Sequence, residues 1–146
     1  MPTSSAWRVA IAALLGAVFG TTIGATWRAL NEQDRPAEDS IGLLYLTLVV
    51  GLPTIVVVSW VLLALTGPAW VAPTVTIGGL ATGGFALGLY QQTIDPSGLP
   101  PVAVYASIWG TCYAAVALAC VPRVLRPVRV GIIALLVTPA ILSLVL

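Results

Sequence analysis

The sequence predicts an all-α integral membrane protein, a single domain over residues 1–146 that forms a bundle of five transmembrane helices. The composition is the first reason: 59% of the residues are hydrophobic and 8% are charged, with a mean hydropathy of +1.05. An ordinary soluble domain has about 25% charged residues. The second reason is spacing, because the charges fall in clumps separated by long apolar runs. A bilayer core about 30 Å thick requires about 20 apolar residues in helical form, and these runs have that length.

The five spans are expected at about residues 7–27, 41–66, 70–90, 102–121 and 130–146. The second contains Pro53, which has no backbone N–H and is therefore predicted to kink the helix. The last is short and contains Pro139. Four spans followed by a re-entrant or interfacial C-terminal segment is the alternative.

Aromatic residues give a second measure of the first span. Trp7 and Trp27 are twenty residues apart. At about 1.5 Å per residue this is about 30 Å, so each can lie in one interfacial belt. We expect the others at the two membrane faces as well: Tyr45, Tyr90 and Tyr105 at one, and Trp60 and Trp70 towards the other. Trp109 and Tyr113 lie deeper and are predicted to be core residues.

The arginines predict the orientation. One face carries no acid and four arginines, Arg8, Arg123, Arg126 and Arg129. The other carries Arg28 and Arg35 with all five acids, Glu32, Asp34, Glu38, Asp39 and Asp95. Cytoplasmic loops carry the excess of arginine and lysine, so the four-arginine face and the N-terminus are expected in the cytoplasm. The use of arginine without lysine, together with abundant Ala, Gly, Val and Leu, suggests a GC-rich bacterial genome. The expected location is therefore the bacterial inner membrane.

Glycines recur at every fourth position of the first span, at Gly16, Gly20 and Gly24. The phosphate-binding patterns GxGxxG and GxxxxGK are absent, so this run is not a nucleotide loop. Residues four apart share one face of a helix, and these form a ridge with almost no side chain. The stretch resembles the glycine-zipper pattern of membrane helices. Such a ridge lets another backbone approach closely, which drives helix association in lipid.

Two further spans carry small-residue surfaces. The third span, GGLATGGFALG, contains Gly79, Gly83, Gly84 and Gly88. The fourth aligns a stripe at four-residue intervals, consisting of Ala103, Ser107, Thr111, Ala115 and Ala119. One interpretation is that the three surfaces pack against one another inside one subunit. The other is that at least one of them faces another protein chain.

Catalytic chemistry has little support in the sequence. There is no histidine, so Ser-His and Cys-His arrangements and the usual zinc sets are absent. Cys112 and Cys120 lie about 12 Å apart along one predicted helix, too far for a disulfide. An acid/base pair between Asp95 and an acid of the first loop is the enzymatic alternative to solvated loop charge. We predict no enzyme, no catalytic residue, no cofactor and no metal site.

The expected function is that of a non-catalytic accessory subunit in a larger membrane complex. A cell-envelope transporter for lipid or other apolar cargo is the first choice of complex, and a respiratory assembly is the second. Arg123, Arg126 and Arg129 are expected to bind lipid head groups, to pair with acids of a partner, or only to set topology. The expected partners are membrane lipids and other membrane subunits, and not nucleic acid. The contrasting hypothesis is a small homo-oligomeric channel or exporter lined by the third and fourth spans.

Overall fold

The chain is an all-α helical bundle of the kind found in membrane proteins. The computed structural model describes residues 5–31, 37–68, 70–93, 101–122 and 124–145. Five of the charged residues that the sequence analysis assigned to the two membrane faces lie outside these ranges: Glu32, Asp34, Arg35, Asp95 and Arg123. The helices are α1 (Ser5–Leu30), α2 (Ala37–Tyr45), α3 (Leu52–Thr66), α4 (Val71–Thr93), α5 (Pro101–Ala119) and α6 (Arg126–Val145).

The second span is interrupted just before its proline. A π-helical segment, Leu46–Gly51, joins α2 to α3, and the backbone N–H of Leu52 donates to the carbonyl of Thr47, five residues back. Pro53 supplies no N–H, so the preceding turn lacks one backbone donor. The Thr54 hydroxyl donates to the Val50 carbonyl at 2.6 Å. The interruption predicted from Pro53 therefore takes the form of a π-helical insertion.

Four helical segments in the described ranges are long and apolar enough to cross a membrane: Ser5–Leu30, Glu38–Thr66, Val71–Gln91 and Val102–Ala119. They correspond to the first four predicted spans. The predicted fifth span is also helical, and α6 begins at Arg126 rather than near residue 130. At 20 residues and about 1.5 Å per residue, α6 is about 30 Å long. The choice between a fifth span and an interfacial segment stays a prediction.

Helix α5 lies at the centre of the bundle, between α1 and α4. Its most extensive packing is against α1, followed by α4. Helices α1 and α5 are antiparallel, since Gly16 lies beside Tyr113 and Gly24 lies beside Val102. Helices α4 and α5 are antiparallel too, since Gly79 lies beside Tyr113 and Gly83 lies beside Trp109. The hydrophobic core is built from these three helices, with Leu63 of α3 as a further member.

The aromatic residues divide between this core and the outer surface. Trp109 and Tyr113 are buried, as predicted. Trp7 and Trp27 are about half exposed. Tyr105, which was expected at a membrane face, is buried within the bundle at 5% exposure. Gly24 of α1 lies beside its ring, and its position at a membrane face stays a prediction.

Helices α2, α3 and α6 form the periphery. Within α2 and α3, the buried residues of the described part are Ser59 and Leu63. In α6, all the residues for which the structure gives an exposure are exposed or partly buried. Large apolar side chains such as Ile41, Leu65 and Leu135 point outwards and are more than two thirds exposed. An apolar surface of this extent fits a lipid environment, where outward-facing aliphatic side chains incur no hydration cost.

Candidate functional site

The glycine ridge of α1 lies directly against the backbone of α5. A Cβ atom placed on Gly20 would lie 2.6 Å from the carbonyl carbon of Tyr105, and one on Gly24 would lie 2.8 Å from the Cα of Val102. A Cβ on Gly16 would lie 2.8 Å from the Tyr113 Cβ. Ordinary carbon–carbon contacts are about 3.5–4.0 Å. The three glycines are therefore what allows α1 and α5 to approach this closely.

Two glycines of α4 receive aromatic rings of α5. A Cβ atom on Gly79 would lie 2.6 Å from Cε2 of Tyr113, and one on Gly83 would lie 2.8 Å from Cδ2 of Trp109. The Trp109 ring also packs against Phe19 of α1, with ring centroids 4.6 Å apart. The aromatic side chains of α5 are thus held between a glycine face of α1 and a glycine pair of α4.

The other two glycines of α4 have no such neighbour. Around Gly84 and Gly88, no described atom lies within 4 Å of a built Cβ, apart from the helix itself. Gly84 is exposed, and Ala81 on the same side of α4 is exposed as well. We call this surface, defined by Ala81, Gly84 and Gly88, the outer face of α4. The four glycines predicted as one packing set therefore divide into a filled pair and an open pair.

The small-residue stripe of α5 also points away from the core. Ala103, Ser107 and Thr111 are exposed, and Ala115 and Ala119 are partly buried. The glycines of α1 and α4 meet the opposite side of α5, which carries Tyr105, Trp109 and Tyr113. The expectation that three small-residue surfaces pack against one another is wrong. Space is filled in two ways: the backbones of α1 and α5 come into contact, and the rings of Tyr113 and Trp109 lie beside Gly79 and Gly83 of α4.

The arginines of the described residues at one end of the bundle differ in their surroundings. We call this the arginine end. Arg8 packs over Gly67: a Cβ atom built on Gly67 would lie 3.4 Å from the Nε of Arg8. Arg126 is exposed. Arg129 is partly buried, and its Nη2 donates to the Val121 carbonyl at 2.9 Å. Arg28, Glu38 and Asp39 lie at the opposite end of the bundle.

A cavity of about 450 Å³ opens beside Arg129. It lies between the start of α4, the end of α5 and the first turns of α6. The apolar side chains of Val116, Ile133 and Leu136 form part of its wall. The indole ring of Trp70 and the charged side chain of Arg129 also line it. Sequence reasoning grouped Arg123, Arg126 and Arg129 as equivalent, and the structure separates Arg126 from Arg129. Their spacing gave no signal for this difference, because residues three apart are neighbours on a helix surface.

A second, smaller cavity of about 210 Å³ lies at the other end, between α1 and the π-helical region. Its lining includes Trp27, Leu44 and Leu48, and its polar feature is a hydrogen bond between the hydroxyls of Thr26 and Thr47 at 3.1 Å. This lining contains no charged side chain, and its two hydroxyls are hydrogen-bonded to each other.

No group of three or more potential metal-ligating side chains occurs within the described ranges. Cys112 and Cys120 are free thiols, the first buried and the second partly buried. In comparisons with protein-family models, curated proteins and solved structures, the chain has no match.

Proposed function

We propose that this chain is a non-catalytic accessory subunit that packs through its outer face of α4 against a larger membrane complex. The observation that carries the proposal is the pair of open glycines, Gly84 and Gly88. The other glycines of α1, α4 and α5 that the structure describes each lie against the backbone or a side chain of a neighbouring helix. In lipid, helices associate where small residues permit close approach and van der Waals contact. An open glycine face on an otherwise filled helix is therefore suited to a second helix.

The distribution of charge favours a role in assembly over ion-coupled transport. Among the described residues, the charged side chains lie in the first or last turns of the transmembrane helices or at the start of α2 and α6. Ion- and proton-coupled carriers place ionisable side chains inside the membrane, where they are costly and usually functional. A chain with its charges at the ends is better suited to assembly than to coupling.

The proposed setting is the bacterial inner membrane, with the N-terminus and the arginine end in the cytoplasm. The excess of arginine at that end supports this orientation. A cell-envelope transporter for lipid or other apolar cargo is the first choice of complex, and a respiratory assembly is the second. Reporter fusions after Arg126 and after Glu38 test the orientation: we expect a cytoplasmic signal from the first alone. A cytoplasmic signal after Glu38 would contradict it.

A substitution at the outer face tests the assembly. We expect Gly84→Leu to fold normally and to stop co-purifying with its unrelated membrane subunits in mild detergent. Gly131→Leu is the matched control, because no described atom lies within 4 Å of a Cβ built on Gly131 of α6. It should retain the complex. Loss of partners in both variants, or in neither, would contradict the assignment of the interface to α4.

The competing function is a homo-oligomeric channel or exporter. The observation that favours it is the exposure of Ser107 and Thr111 on the outer side of α5, where hydroxyls could line a shared pore. The Ser107 hydroxyl, however, donates to the Ala103 carbonyl at 2.8 Å, which meets its hydrogen-bonding need within its own helix. Purification of a stable homo-oligomer without other subunits, together with its loss in Ser107→Leu, would favour the channel over the accessory subunit.

A further inference from the structure

The cavity at the arginine end combines apolar walls with one positive charge. Val116 of α5 and Ile133 and Leu136 of α6 form the apolar part, and the Trp70 ring and Arg129 complete the lining. At about 450 Å³ it has the size of an ordinary small-molecule site, which is about 300–1,000 Å³. Its position between the ends of three helices places it at a membrane face and open to a lipid leaflet.

Arg129 is held in place with part of its hydrogen-bonding capacity unused. Its Nη2 bond to the Val121 carbonyl fixes the guanidinium at the end of α5. Its Nε is buried, and no described atom accepts a hydrogen bond from it. A charged group with a buried donor that has no acceptor is costly, and because Arg129 also lines the cavity, an anionic ligand there would offset its charge.

No acidic side chain of the described residues is available to neutralise this arginine. The acids that the structure describes, Glu38 and Asp39, lie in the first turn of α2 at the opposite end of the bundle. The missing counter-charge must therefore come from outside the described part of the chain. A guanidinium matches phosphate oxygens in geometry as well as in charge.

We propose that this cavity binds one anionic glycerophospholipid of the surrounding leaflet. The head-group phosphate accepts hydrogen bonds from Arg129, and an acyl chain lies along Val116, Ile133 and Leu136. Trp70 occupies the boundary between the two, where indole rings are favoured in membranes. Basic pockets between transmembrane helices are suited to acidic lipid head groups in this way. The proposal is independent of the accessory-subunit assignment, since α4 contributes its N-terminal residues here and not Gly84 or Gly88.

The test is native mass spectrometry of the full chain in mild detergent with added phosphatidylglycerol or phosphatidylcholine. We expect one retained phosphatidylglycerol and markedly less phosphatidylcholine. Arg129→Gln should lower phosphatidylglycerol retention by about fivefold, the factor that corresponds to about 1 kcal/mol per arginine at an anionic surface. Arg126→Gln is the matched control, because Arg126 is exposed on the same helix and carries the same charge. It should bind as the wild type does.

A second pair of variants tests the apolar wall. Ile133→Trp fills the cavity and should displace the lipid. Leu135→Trp is the control: it places the same ring at a position outside the cavity, where the leucine is 71% exposed, and should leave the lipid bound. Excess inorganic phosphate should leave the bound lipid in place, because the acyl chain contributes to binding. This pair and the wild-type comparison of the two lipids decide the question if Arg129→Gln does not fold.

Several results would overturn the proposal. Equal retention of the two lipids by the wild type would show that the charge of Arg129 does not select the ligand. Equal loss in Arg126→Gln and Arg129→Gln would assign the preference to the net charge of the surface. Displacement by inorganic phosphate would identify a free-anion site. Wild-type binding by Ile133→Trp would place the lipid elsewhere, and a co-purified protein that blocks lipid binding would assign the cavity to that partner.

Discussion

Gly83 and Gly84 are neighbours in one helix and have opposite surroundings. A side chain on Gly83 would meet the ring of Trp109, whereas one on Gly84 would meet no described atom within 4 Å apart from its own helix. The same contrast separates Gly79, beside Tyr113, from Gly88, which is open. Adjacent residues differ by about 100° around a helix, so one small-residue segment presents two faces. The comparison teaches that a glycine pattern identifies a close contact only when the opposing surface is known.

The opposing surface of the filled glycines is one side of α5, which presents its backbone to the glycines of α1 and its aromatic rings to Gly79 and Gly83 of α4. Tyr105, Trp109 and Tyr113 lie four residues apart on α5, which is the same interval as the glycines of α1. Matching intervals let each ring or its backbone occupy the space left by a glycine along the whole interface. The open pair of α4 has no such counterpart among the described residues. The filled contacts are therefore expected to carry the stability of the subunit, and the open ones its contacts with other molecules.

Removal of a buried ring should have the largest effect. Tyr113 is 1% exposed and its ring lies against Gly79, so Tyr113→Ala empties that contact, while the Cβ beside Gly16 is kept. Loss of a large buried aromatic ring costs about 3–5 kcal/mol. We expect a large fall in the thermal unfolding temperature in detergent. Tyr45→Ala, at a side chain that is 65% exposed, is the control and should leave the temperature almost unchanged.

Overfilling one filled contact should have the next largest effect. Gly20→Leu places a branched side chain against the backbone of α5 at Tyr105 and Ala106, which cannot move aside as a side chain can. Overpacking costs about 1–3 kcal/mol, and we expect the upper part of that range. The measurement is thermal unfolding of the isolated chain. Val18→Leu, on the exposed side of α1, is the control, and an equal effect of both would show that α1 does not pack through its glycines.

The smallest effect is expected at the open pair. Gly88→Ala adds a methyl group where no described atom lies within 4 Å, and alanine is the better helix former. We expect no loss of stability and a gain of up to about 1 kcal/mol, measured by the same thermal unfolding experiment. A loss comparable to that of Gly20→Leu would show that Gly88 is packed inside the subunit after all.

The helical architecture could be predicted from the sequence because hydropathy and length decide it. Four of the five predicted spans correspond to helices long and apolar enough to cross a membrane, and the fifth is helical as well. The burial of Trp109 and Tyr113 also followed from their depth in the fourth span. The π-helical form of the interruption before Pro53 did not, because proline removes a donor without determining how the preceding turn rearranges.

The division of the glycines could not be predicted, since small residues carry no preference between a partner helix and lipid. The burial of Tyr105 was missed for a related reason. Its position near the start of the fourth span indicates a membrane face, but its burial within the bundle depends on Gly24 of α1, which lies beside its ring. Likewise, the sequence gives Arg126 and Arg129 the same chemistry. Their difference depends on which side of α6 faces the end of α5.

The most direct test is to place the same side chain on the two neighbouring glycines of α4. The isolated chain carrying Gly83→Leu and the one carrying Gly84→Leu are compared by thermal unfolding in one detergent. The leucine at position 83 collides with the Trp109 ring, and the one at position 84 points away from the bundle. We expect a loss of about 1–3 kcal/mol for Gly83→Leu and a change within about 0.5 kcal/mol for Gly84→Leu. Equal destabilisation of the two variants would contradict the division of α4 into a filled and an open face.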